Sequence, residues 1–140
     1  MEKEFVPYEL ALRMKALGFD EPCFSFYMGG FKELGKIKYV NPNNVAETNV
    51  LAPTFSQAFR WFREKYNIEA TVACFYNKRL GVPYEERQYH CHVIRDGITS
   101  KGPKYKTYEE AELACLDKLI EIVESKQRIN RIIKDVQDGK

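Results

Sequence analysis

Apolar positions near the end of this chain recur at helical spacing for longer than a small domain needs. From Thr107 onward, Cys115, Leu119, Ile122, Ile129, Ile133 and Val136 keep a four-three step that only Lys126 interrupts. Such a seam advances by half of seven residues per turn, the signature of helices that pack against other helices. Thr107 and Glu110 open the segment as a capping box, with Tyr108 at its first turn. The pattern predicts a long amphipathic C-terminal helix. Past Ser125 it leaves Ile129, Ile132, Ile133 and Val136 as a stripe for a partner helix, most simply from a second copy of the chain. The competing reading folds this segment back as a separate short helix. Residues 1–125 therefore read as one domain and 126–140 as an oligomerisation extension of a dimer or higher homo-oligomer.

Two further helices are marked by their ends. Pro7 and Gly18 bracket Pro7–Leu17. Thr54 and Gln57 cap Phe55–Tyr66, where Phe55, Phe59 and Phe62 share a face, and Asn67 closes it. Strands are expected at Cys23–Met28 and Lys36–Val40, joined through Gly29-Gly30, and at Thr71–Tyr76 and Gln88–Arg95. In the last of these, Tyr89, Cys91 and Val93 face one way and Gln88, His90 and His92 the other. The expected class is α+β, an antiparallel sheet of about four strands covered by two or three helices. Its core is assigned to Phe55, Phe59, Phe62, Cys74, Cys91, Cys115, Leu119 and Ile122. Asn77–Arg87 is a long loop, and Lys101–Lys106, after Asp96-Gly97, reads as a second, basic loop. The two loops would start at opposite ends of the hairpin, so a shared pocket calls for loops from two protomers.

With 44% hydrophobic and 14% aromatic residues over 140 positions, the chain is folded and large enough for a real core. No stretch approaches the roughly 20 apolar residues of a membrane helix, and Met1-Glu2-Lys3-Glu4-Phe5 lacks a signal-peptide pattern. A cytoplasmic protein without membrane association is expected. Cys23, Cys74, Cys91 and Cys115 are dispersed and read as small buried hydrophobes of a reducing compartment. A net charge of +2 gives no global basic field, so any polyanion site must be a local patch.

Catalytic patterns are missing. No serine or cysteine sits in a nucleophile context, and Gly29-Gly30 fits no phosphate-cradling loop. Glu109 and Glu110 are explained by the helix dipole. His90-x-His92 is half a metal site whose remaining ligands are not evident, so neither a metal nor a cofactor is assigned. Binding chemistry has more behind it. Lys78, Arg79, Tyr84 and Arg87 in one loop, and Lys101, Lys104, Tyr105 and Lys106 in the other, combine cations with aromatics suited to phosphates and bases. Trp61, His90 and His92 complete the candidate ligand-binding set.

Helix, strand, strand, basic segment and helix from Thr54 onward follow an order similar to a double-stranded RNA-binding domain. A third strand is not evident, and Tyr108-Glu109-Glu110 stands where that family has lysines. Three blocks, Phe5–Lys15 with Gly18–Cys23, Leu51–Tyr66, and Thr107–Val123, resemble a family of small bacteriophage and prophage proteins of gut bacteria. The resemblance implies an accessory, anti-defence protein acting in the cytoplasm of the infected host. The function expected is non-enzymatic sequestration of a small anionic ligand, a nucleotide immune signal. Direct inhibition of a host defence protein and nucleic-acid binding are the alternatives.

Overall fold

A computed structural model describes residues 2–29 and 32–139; Gly30 of the expected Gly29-Gly30 turn and Lys140 of the extension lie outside the described residues. The class is α+β, with three α-helices and two antiparallel sheets, one of two strands and one of three, among the described residues. The chain divides into two compact units, Met1–Ala58 with Ile120–Lys140, and Phe59–Leu119. The division falls within the second and third helices.

In the first unit, α1 (Tyr8–Ala16) starts after Pro7, whose fixed φ suits that entry, and ends before Gly18 at φ 96°. Strands β1 (Phe26–Tyr27) and β2 (Val50–Leu51) pair Phe26 with Leu51 and Tyr27 with Val50. The expected strand Cys23–Met28 thus shortens to two residues plus a bridge from Cys23 to Val40, and Lys36–Val40 forms no strand of its own. Asn41 explains part of this: its side chain accepts from Asn43 N–H at 2.9 Å and turns the chain into Pro42–Asn44. Buried Val6, Met14, Cys23, Val50, Ile120 and Val123 belong to this unit's core. The Tyr27 hydroxyl donates to Val6 O at 2.8 Å, and Arg13 pairs with Glu124 at 2.5 Å. Burial, then the nearby Glu21, pushes the Cys23 thiol up to about 12, so it stays protonated and inert.

Helix α2 (Phe55–Tyr66) is capped as its sequence promises: Thr54 Oγ1 accepts from Gln57 N–H at 3.2 Å. Asn67, at φ 54°, ends it in the left-handed region. The second unit holds β3 (Glu69–Phe75), β4 (Gln88–Arg95) and β5 (Ile98–Tyr105) as an antiparallel meander. β5 corrects the reading of Lys101–Lys106 as a loop. Asp96 and Gly97, at φ 52° and 75°, form a two-residue turn of the twist that suits a hairpin, and the chain returns along β4.

Helix α3 (Tyr108–Gln137) follows, with Thr107 Oγ1 accepting from Glu110 N–H at 3.2 Å. It runs unbroken, which removes the reading of a separate folded-back segment. In the second unit Ala111, Cys115, Leu116 and Leu119 are buried, with Trp61, Phe62, Ile68, Cys91 and Val93. Each large aliphatic so buried contributes roughly 1.5–3 kcal/mol. Cys91 and Cys115 are joined by a disulfide, with Cα atoms 5.2 Å apart, which corrects the expectation of free thiols at both positions. Cys74 is exposed rather than core, while Phe59 and Ile122 are only partly buried.

Candidate functional site

The meander decides where the cations stand. β3 ends and β4 begins at one end of the sheet, and β5 brings its own end back beside them: Cys74 pairs with Tyr89 and Tyr89 with Tyr105, while His90 pairs with Lys104. The Asn77–Arg87 loop and Lys104–Lys106 therefore meet at one end of one sheet. The expectation that they start at opposite ends fails because it lacked the third strand.

The two faces of this sheet differ in chemistry. Cys91 is bonded to Cys115, and the Tyr89 and Tyr108 rings meet edge-on at 5.9 Å, so the Tyr89–Cys91–Val93 face looks toward α3. The opposite, outer face carries Thr71 and Phe75 from β3, His90 and His92 from β4, and Lys101 and Lys104 from β5. Lys101 and Lys104 are three residues apart, and a regular strand would send them to opposite faces. A β-bulge at Gly102-Pro103, opposite Cys91, supplies the extra residue, so both lysines stand across from histidines. Pro103 is tolerated because β5 is an edge strand.

Contacts on the outer face are aromatic and cationic. The His90 and His92 rings stack at 4.5 Å with 12° between their planes. Phe75 lies 6.4 Å from His90, and the Lys104 ammonium sits 3.8 Å from the Phe75 ring centre. Burial lowers the His90 pKa below 6.5, with His92, Lys101 and Lys104 adding to the shift, so the ring is neutral at pH 7. His92 Nε2 is buried with no hydrogen-bond partner among the described residues. The one carboxylate at these register positions is Glu69, paired with Ile94 at the far end.

The remaining predicted residues lie around this face. Asn77 Oδ1 accepts from Arg79 N–H at 3.1 Å and shapes the turn that leaves Lys78 and Arg79 exposed. Arg87 donates to the Tyr89 hydroxyl at 2.8 Å and lies 4.4 Å over the Tyr84 ring. The Tyr89 bond raises its pKa further. Tyr105 shares the helix-side face with Tyr89, and exposed Lys106 follows it. Trp61 leaves the candidate set: it is 4% exposed, packed against Phe62 and Tyr66, and cannot offer a ring face to a base. Phe75 enters it, and Lys101, named with the basic segment, gains its place on the outer face from the returning strand that the Asp-Gly turn after Arg95 announces.

Among the described residues no three His, Cys, Asp or Glu side chains converge as a metal site. A separate concavity in the first unit, about 160 Å³, is lined by Ala11, Lys15, Phe19, Asp20 and Leu51, among others. It is smaller than the roughly 300 Å³ at which ligand pockets begin. Its lysine is already engaged with Asn49 O at 2.9 Å and with Glu47 O. Among the described residues no helix is long and apolar enough to cross a membrane. Neither a protein-family model, nor a curated protein, nor a solved structure matches the chain.

Proposed function

We propose that the protein binds, without catalysis, a ligand that carries phosphate beside a nucleobase, and holds it on the outer face of β3–β4–β5. The observation behind this is segregation of charge: Lys101, Lys104, His90, His92 and Phe75 share that face, and its carboxylate, Glu69, is at the far end. Phosphate draws the Lys104 ammonium off the Phe75 ring, and the vacated ring face accepts a base. Lys78 and Arg79 extend the cationic track beyond the strand ends. Phe75, at 37% exposed, lies on an open surface. An open surface suits a single-stranded oligonucleotide or a cyclic oligonucleotide better than a mononucleotide, which needs walls.

The helix-strand-strand-strand-helix order also supports a second, duplex-binding reading, because β5 supplies the strand that the order lacked. Glu109 and Glu110 oppose it, since they begin α3 where a groove's phosphates would lie. The phage-like sequence blocks support an accessory role in which sequestration of a nucleotide immune signal counters host defence.

Fluorescence anisotropy with a labelled single strand, the duplex of the same sequence, and cyclic di- and trinucleotides tests these readings. Binding of the single strand or a cyclic ligand, lost at least tenfold in Lys101→Glu and Lys104→Glu and weakened by salt, is the expected result. Preference for the duplex would transfer the site to the second reading. No binding by any of them at about 50 mM salt, with a host protein co-purifying, would replace both by direct protein inhibition.

A further inference from the structure

Helix α3 continues for fourteen residues after Val123, its last buried position. Over that stretch Ile129, Ile132, Ile133 and Val136 are between 49% and 71% exposed. An isolated helix keeps such a row only at a cost in solubility, and the row lies on one side of the helix.

Two features of the row favour a second copy of the chain as its occupant. The first is its spacing. The steps 129 to 132, 132 to 133 and 133 to 136 are three, one and three, and read the same in both directions. Reversal about the midpoint maps Ile129 onto Val136 and Ile132 onto Ile133. The row can therefore face itself in an isologous two-fold contact between antiparallel helices. The second is charge. Lys126, Arg128 and Arg131 precede the midpoint without an acid, whereas Asp135 and Asp138 follow it with Lys134. Antiparallel pairing sets the basic half against the more acidic half. It also brings Lys126 and Arg128 to the partner helix's C-terminus, where the last carbonyls favour cations. Parallel pairing would set basic half against basic half.

We infer that the segment Lys126–Gln137 is a homodimerisation helix that pairs antiparallel with the same segment of a second copy. The inference stands apart from the ligand reading, because none of these residues is on the outer sheet face.

Sedimentation velocity of the full chain over a hundredfold concentration range tests it. A concentration-dependent rise to twice the 16.4 kDa chain mass is expected, abolished in Ile133→Glu. Since Ile133 is exposed in the single chain, that variant should keep the circular dichroism of the folded monomer. Orientation is read by mixing Ile129→Cys and Val136→Cys proteins in a Cys74→Ser background. Cross-links between the two variants should exceed those within either one at least tenfold. A monomer at every concentration overturns the inference, as does a dimer that Ile133→Glu leaves intact, or preferential cross-linking of Ile129→Cys to itself.

Discussion

The ammonium of Lys104 lies 3.8 Å from the centre of the Phe75 ring, although β4 runs between their strands. The lysine stem must cross β4 to make that contact. Lys104→Met keeps the stem and removes the charge. It should cost about 0.5–1 kcal/mol, the range of a surface cation–π pair, and a double-mutant cycle with Phe75→Leu should recover the same coupling in urea melts. Coupling indistinguishable from zero would show that the pair is not held in solution.

His90 makes stability depend on pH. Its pKa is lowered in the folded protein by burial first, then by His92, Lys101 and Lys104. Between the folded value and 6.5 the unfolded chain binds the extra proton, so stability rises with pH through that window and falls on acidification. The melting temperature should drop between about pH 7 and pH 5, and drop less in His90→Gln. An equal drop in both proteins would assign the effect elsewhere. If the proposed ligand sets a phosphate beside His90, it acts in the opposite sense, favouring the imidazolium, and its affinity should strengthen as the pH falls toward about 6.

The Cys91–Cys115 disulfide closes a span of 24 residues in sequence. In the chain-entropy account a loop of that size is worth about 3 kcal/mol, so dithiothreitol should lower the melting temperature by several degrees. Intact mass after alkylation without reduction should show two modified cysteines, Cys23 only on unfolding and Cys74 readily. Four modified cysteines in the unreduced, unfolded protein would contradict the linkage.

Caps give an independent measure of the helices. Thr54 and Thr107 each accept a backbone N–H at 3.2 Å. Thr54→Ala and Thr107→Ala should each cost about 1 kcal/mol in denaturant melts, with Ser in place of Thr restoring most of it.

If the outer face binds nucleotide phosphates, a ligand at 100 times its dissociation constant should add about 2.7 kcal/mol of stability. A thermal-shift series with cyclic dinucleotides and short single strands reads this directly. The shift should vanish in Lys101→Glu while the unliganded melting temperature stays put. A shift that survives this change would place the ligand off the sheet face.

Helix ends were the most legible part of the chain. Thr54, Asn67, Thr107 and Gly18 act locally, through their own side chain or their tolerance of positive φ, and each sits where the sequence places it. Gln88–Arg95 was equally clear, because one buried face imposes strict alternation. β5 was hidden by lysines, a glycine and a proline, which together imitate a loop. What overrides them is pairing: an edge strand needs only one hydrogen-bonded side and little apolar content. Lys36–Val40 failed in the opposite direction, since its alternation found only a single bridge, at Val40. The pairing of Cys91 with Cys115 was not legible either, because it depends on which turn of α3 crosses β4.

The extra residue at Gly102-Pro103 fixes how this protein tolerates changes in length. Deleting both residues leaves every lysine of β5 in the chain and alters no charge. It nevertheless makes the two lysines neighbours, and strict alternation then parts Lys101 and Lys104 to opposite sides. Two descendants of one gene could thus have the same isoelectric point and nearly the same sequence, while only one keeps a cationic outer surface. For this strand, alignment gaps carry more functional information than substitutions do.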